Sequence, residues 1–132
     1  MIVGVLKEIK TEENRVSMTP AGVEIMRQNG HTVLVEKSAG AGSGIDNSSY
    51  REVGAEIVDN PREIFRRCEM IMHVKEPLPS EYDLIREEQI IFTYLHLAAA
   101  EELTRVLMQK GSVNIAYETI QKYDGSLPLL TP

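Results

Sequence analysis

Three side chains far apart in the chain, Arg15, Lys75 and His96, are of the types that together can grip and process a small organic acid. A guanidinium can hold a carboxylate through two parallel hydrogen bonds. An ammonium is a point charge that can polarise a carbonyl oxygen. An imidazole is the side chain whose ordinary pKa suits proton transfer near neutrality. Each also has an ordinary structural explanation. Arg15 follows Glu12, Glu13 and Asn14, where a solvated loop charge is the default. Lys75 closes an apolar run and could reach water over a buried stem. His96 ends the run Ile90-Ile91-Phe92-Thr93-Tyr94-Leu95-His96, either as a packed end-cap or as a working acid/base.

A parallel sheet would bring the three together. The run Ile90 to His96 is short and rich in branched and aromatic residues, which predicts a strand covered on both faces. A helical pattern follows to Lys110, with Leu103, Val106 and Leu107 on one side and Gly111 as its stop. Ile2 to Leu6 is the first strand, and the polar stretch Lys7 to Asn14 leads from it to Arg15. Thr19-Pro20 opens a helix through Val23, Met26 and Arg27, ended by Gly30. Thr32 to Glu36 is the second strand, Asn47 to Val53 a short helix, and Gly54 to Val58 a short strand. Asn60-Pro61 opens another helix, with Ile64, Phe65 and Cys68 on one face. Met70 to Lys75 is a buried run; the prolines of Glu76-Pro77-Leu78-Pro79 then force a loop. Ser80 to Ile85 predicts one or two helical turns, and Val113 to Tyr117 a further strand. Asp124-Gly125, between Thr119–Tyr123 and Ser126–Leu130, predicts a hairpin. The whole predicts an α/β three-layer sandwich. Its sheet is mostly parallel, Rossmann-like or flavodoxin-like, with helices on both faces and a C-terminal β-hairpin.

The carboxyl ends of parallel strands share one edge, and ligands bind in the crevice beyond it. That edge collects Lys7, Glu8, the Arg15 loop, Lys75, His96 and Glu118. Two cations and an imidazole there, in a chain of net charge −6, make a local site for a small anion. His73 is read as a hydrogen-bonded core histidine and His31 as an exposed turn residue. Tyr94 shares a face with His96 and packs; Glu118 either pairs with a cation or acts. Gly40-Ala41-Gly42-Ser43-Gly44 lies between strand and helix like a dinucleotide loop, but the third glycine of that fingerprint falls on Ile45, which favours a flexible turn. The three histidines are scattered without ligand spacing, so no metal site is expected. No Gly-x-Ser-x-Gly elbow offers a serine nucleophile.

The length of 132 residues suits one domain with a real core. The acidic balance, without a basic block, gives no reason to expect nucleic acid or an anionic membrane as partner. The apolar runs are too short to span a bilayer, and Met1 to Lys7 lacks the features of a signal peptide. Cys68 is the only cysteine, which excludes an internal disulfide and fits a reducing cytoplasm.

Several motifs resemble the opening of the alanine dehydrogenase family. They are Val5-Leu6-Lys7-Glu8-Ile9-Lys10, Glu13-Asn14-Arg15-Val16, Thr19-Pro20-Ala21-Gly22-Val23, Gly30-His31, Val74-Lys75-Glu76-Pro77, Phe92 to Ala98, Ile115-Ala116-Tyr117-Glu118-Thr119 and Leu127 to Leu130. The transhydrogenase alpha subunit shares the first of these but does not usually carry the histidine of Tyr94-Leu95-His96-Leu97, which favours the dehydrogenase. The resemblance implies NAD-dependent, reversible conversion of L-alanine to pyruvate and ammonium by a cytoplasmic homo-oligomer, often a hexamer. It implies that Arg15 holds the substrate carboxylate, Lys75 partners the carbonyl or carboxylate oxygens, and His96 is the acid/base. It also implies that residues 1–132 are most of a substrate-binding domain, incomplete, with no cofactor-binding residue, the NAD-binding Rossmann domain lying elsewhere; such a piece alone would not oxidise alanine. The alternatives are a transhydrogenase alpha or saccharopine-type dehydrogenase domain, or a non-catalytic module that binds a 2-oxo acid.

Overall fold

Alternation along the strand Ile2–Val5 (β1) sets the layers of the molecule, seen in a computed structural model that describes residues 1–131. Val3 and Val5 point to one face and join Val33 and Val35 of β2 (Thr32–Glu36). Val23 of α1 (Pro20–Gln28) and Tyr50 of α2 (Asn47–Glu52) close that core. Gly4 points to the other face, where Leu34, Ile71 and Ile91 pack under Ile64 and Phe65 of α3 (Pro61–Arg67) and Leu103 and Leu107 of α5 (Glu101–Lys110). The remaining elements are β3 (Glu56–Val58), β4 (Met70–Met72), α4 (Pro79–Tyr82), β5 (Ile90–Thr93) and β6 (Val113–Ala116). All six strands are parallel, in the order β3-β2-β1-β4-β5-β6. That is the Rossmann arrangement rather than the flavodoxin one. The helix starts follow the cap-plus-proline logic: the Thr19 hydroxyl accepts from the Gly22 amide at 3.3 Å, and Asn60 accepts from the Glu63 amide at 3.1 Å. Gly111 stops α5 in the left-handed region at φ 68°.

Three expectations need correction. The run Met70–Lys75 is strand only to Met72, and the run Ile90–His96 only to Thr93. Beyond Thr93 the Leu95 and His96 amides leave the sheet for the Glu118 carboxylate, and His96 turns left-handed at φ 50°. Tyr94 and His96 therefore do not share a strand face. Nor does the Asp124-Gly125 turn grow into a hairpin. The turn itself forms, with the Lys122 amide donating to the Ser126 carbonyl at 2.9 Å and Gly125 at φ 85°. Its flanks build no ladder: Tyr117–Thr119 coils into a 3-10 turn, Pro128 has no N–H to give, and residues 121–126 are all exposed.

A buried tie of three charged groups joins β1, β4 and α4. His73 Nδ1 lies 2.5 Å from Glu8 Oε2, and Nε2 lies 2.6 Å from Glu81 Oε2. All three side chains are 5% exposed or less. Burial by itself would depress the imidazole pKa. The hydrogen bonds to Glu8 and Glu81 and the carboxylate charges outweigh it and raise the pKa to about 9. His73 is thus an imidazolium at neutral pH, donating from both nitrogens.

Two predictions follow from these contacts. A Cβ at Gly4 would sit 2.5 Å from Ile64 Cγ2 and 2.8 Å from Cys68 Sγ. Gly4→Ala will therefore overpack the α3 side and lower stability by about 1–3 kcal/mol, read as a lower denaturant midpoint. The tie makes stability depend on alkaline pH. Because the folded pKa of His73 is raised, its contribution is complete below the unfolded value near 6.5 and is lost as pH rises through 9. The shift corresponds to roughly 3 kcal/mol. Urea unfolding from pH 6 to pH 10 will show this fall in the unsubstituted chain. Its absence from the difference against His73→Gln, which loses the charge, would refute the assignment.

Candidate active site

The crevice of this sheet opens where neighbouring strands send their chains to opposite faces. From β1 the chain leaves toward α1; from β4 it leaves toward α4, whose Tyr82 packs on the α3 side. The Glu8–His73–Glu81 tie lies directly beneath that point. Its Glu8 also accepts the Lys75 amide at 2.8 Å and the Val74 amide at 3.2 Å. From the other side, the Thr93 hydroxyl donates to the Lys75 carbonyl at 2.9 Å. Lys75 is therefore a half-buried residue on a backbone fixed by both neighbouring strands. Lys10 reaches Glu76 at 2.5 Å and joins the two departing loops above.

Arg15 rides on the loop after β1. Its Nε and Nη2 donate to the two Glu13 oxygens at 2.9 and 2.7 Å, and its own amide donates to the same carboxylate at 3.1 Å. These bonds, led by the side-chain pair, take the Glu13 carboxyl down to about 2, and the nearby Lys75 charge adds to the effect. Both cations thus act on one carboxylate. The Nη1 group of Arg15 has no protein partner among the described residues and stays available to an anion. The exposed guanidinium lines an open cleft of about 520 Å³ with Ser43, Phe92, Tyr94, Tyr117 and Leu129. Tyr117 packs edge-on against Phe92 and Tyr94, with ring centres 4.4 and 4.9 Å apart. Burial pushes the Tyr117 phenol well above its usual range. The Tyr94 hydroxyl donates to the Leu129 carbonyl at 2.5 Å, which draws the C-terminal segment across one end of the cleft.

The glycine-rich turn has a role that sequence reasoning did not assign. Ser43 Oγ donates to the Asn14 carbonyl at 2.8 Å, and a Cβ at Gly42 would meet that same oxygen at 2.8 Å. The turn is a seat for the Arg15 loop, and Tyr50 secures the loop's far end by donating to the Met18 carbonyl at 2.7 Å. Nothing in a single sequence pairs residues 42 and 14; the only available signal was a small residue where two loops had to touch.

His96 stands apart from the Arg15 cleft. It is exposed and lines an adjoining hollow of about 400 Å³ with Asn114 and Glu118. Arg15 and Tyr94 therefore share one cleft, Lys75 neighbours its Glu13–Arg15 pair, and His96 occupies the next shoulder of the same sheet edge. His73 is the core histidine expected. Glu118 pairs with backbone amides rather than with a cation. Cys68 is buried, and burial pushes its thiol up to about 12, so it is inert.

The glycine turn does not fit a dinucleotide. A pyrophosphate needs bare amides at a helix N-terminus. At α2 the Asp46 carboxylate already takes the Ser49 amide at 2.9 Å and the Ser48 and Ser49 hydroxyls at 2.8 Å. A fixed negative charge thus occupies the place a phosphate would need.

Comparison with known proteins agrees with this fold. Alanine dehydrogenases of Methanococcus maripaludis and Bacillus subtilis are 55% and 54% identical over all 132 residues. The chain spans only about a third of their length, 35% and 34%. A solved L-alanine dehydrogenase superposes over the whole chain with a TM-score of 0.97 at 50% identity, the match covering 36% of that protein. A transhydrogenase from Sinorhizobium meliloti superposes with a TM-score of 0.84 at 25% identity, over 89% of this chain and 35% of its own. Residues 4–132 match the profile of the alanine dehydrogenase/PNT N-terminal domain, and the chain belongs to that family.

Proposed function

We propose that this chain is the substrate-binding lobe of an NAD-dependent alanine dehydrogenase, which interconverts L-alanine with pyruvate and ammonium. The observation that carries the reading is the half-engaged guanidinium of Arg15. Glu13 fixes the plane of the fork, Nη1 remains for a substrate carboxylate, and a second cation stands beside it at the mouth of the sheet crevice. Arg15 binds and orients the carboxylate. Lys75 draws electron density from the oxygen at the reacting carbon. His96 takes a proton from the amine or hydroxyl, and returns it, as the carbinolamine forms and collapses. The aromatic wall of Phe92, Tyr94 and Tyr117 keeps water from one side. NAD supplies a hydride acceptor when bound. The glycine turn does not fit it, and on this reading NAD is held by residues other than 1–132.

The reading extends to a cytoplasmic homo-oligomer of hexameric type, on the strength of the family resemblance. The domain assignment is supported by β6. Val113 and Ile115 on this edge strand are 49% and 38% exposed, which suits a lobe that meets further protein.

Steady-state kinetics of the intact enzyme carrying this chain tests the roles. Arg15→Ala and Lys75→Ala will each raise KM for alanine and pyruvate about tenfold or more, the worth of one charged hydrogen bond. His96→Ala will lower kcat by about 100-fold or more with a smaller effect on KM. Undiminished turnover in His96→Ala, with activity lost in Arg15→Ala, would remove the acid/base assignment. NADH formation from alanine by residues 1–132 alone would overturn the division of labour.

A further inference from the structure

We propose that Glu118 is a positioning residue that holds His96 in its working conformation. The inference rests on the reading of His96 as the acid/base and deepens it.

His96 has φ 50° and ψ 43°, a left-handed backbone that a residue with a Cβ adopts rarely because the side chain crowds the following carbonyl. Something must hold it there. The Glu118 carboxylate does so from the neighbouring strand's exit. Its Oε1 accepts the His96 amide at 2.7 Å and the Leu95 amide at 3.1 Å, and Oε2 lies 3.3 Å from the Leu95 amide. Two successive amides aimed at one anion form a small backbone concavity, and the carboxylate fills it. The carbonyl side is fixed as well, since the His96 oxygen accepts the Ala99 amide at 3.2 Å and begins the turn Leu97–Ala99. Leu95 is anchored in the core at 2% exposure. His96 is the one titratable side chain of this constrained turn, and it lines the hollow together with Glu118 itself. Glu118 is carried by the 3-10 turn Tyr117–Thr119 at the end of β6, so the register of β6 against β5 sets where His96 stands. Without the carboxylate the two amides lose their acceptor, the backbone relaxes toward negative φ, and the imidazole swings off its line. Small misplacements of a proton-transfer group cost large factors in rate.

The test is kinetics of the intact enzyme with Glu118→Ala, Glu118→Gln and Glu118→Asp, each also combined with His96→Ala. Glu118→Ala is expected to lower kcat by about 10- to 100-fold and to change KM for alanine less than about threefold. Glu118→Gln keeps an acceptor oxygen at the same reach and recovers most of that loss. Glu118→Asp keeps the charge but falls a methylene short and recovers less. In the His96→Ala background Glu118→Ala adds no further loss, because it acts through the imidazole alone. If Glu118→Ala does not fold, the order of Gln above Asp carries the test. Additive losses, or an equal loss in Gln and Ala, would overturn the inference, the latter by making Glu118 a direct proton carrier. An unchanged kcat in Glu118→Ala overturns it too. Those results leave the His96 reading standing, whereas full turnover in His96→Ala alone removes both.

Discussion

The site edge depends on a buried histidine that does not line the cleft. His73 lies between Glu8 and Glu81 with its two nitrogens engaged and almost no exposure. Removing two carboxylates and an imidazole from water is costly, and only tight geometry offsets that cost. The tie is retained at the one point where strand order reverses, beneath the crevice. There an apolar substitute would fill space but could not accept the Val74, Lys75 and Leu78 amides that Glu8 and Glu81 also hold. A methyl group cannot fix the direction of a departing loop; a carboxylate with two oxygens can do so while gripping a cation with one of them. The tie is best understood as specifying where Lys75 begins, with net stability secondary.

Much of this was legible because period and turn chemistry report directly on local backbone. The caps at Thr19 and Asn60 and the stops at Gly30 and Gly111 sit where the sequence placed them. The alternation of β and α segments implied the layers but left the sheet open between the Rossmann and flavodoxin orders, which the strand pairing decides for the former. The misreadings came from elsewhere. Apolar runs do not say where pairing stops: His73, Val74 and Leu95 stay buried after the ladder ends, because polar tethers take over from strand bonds. The hairpin signal at Asp124-Gly125 was locally correct, since the turn forms, but strands need a layer to lie on and this segment has none. Gly42 shows the third limit. Its reason is a loop 28 positions away in the sequence, and no local rule addresses that.

The candidate residues divide in the same way. Side-chain type and strand-end position pointed to Arg15, Lys75 and His96. The same logic missed what holds them, because a holder is defined by contacts between separate segments. Glu13 is the clearest case. Read in sequence it is one more acid in a polar loop; in space it occupies two donors of Arg15 and leaves a third free. An arginine already held in plane loses less freedom when it meets a second carboxylate than one waving in solvent, which is how prior ordering assists binding.

One arrangement recurs along the whole carboxyl edge. Glu36 at the end of β2 accepts the Lys7 amide at 2.8 Å, just past β1. Glu8, just past β1, accepts the Val74 and Lys75 amides past β4. Glu118, past β6, accepts the Leu95 and His96 amides past β5. In each case a glutamate from one strand takes over where the ladder of its neighbour ends and steers the exit. This resolves an apparent conflict in the composition. A chain with 20 acidic residues against 14 basic ones would repel a small anion on average. Glu8, Glu36, Glu81 and Glu118, however, have their carboxylates directed into backbone amides or the buried imidazolium, and Glu13 and Glu76 are paired with cations, whereas Arg15 keeps Nη1 of its guanidinium without a protein partner among the described residues. The field an approaching carboxylate meets is set by which charges remain uncommitted, and Nη1 of Arg15 is such a charge at the cleft.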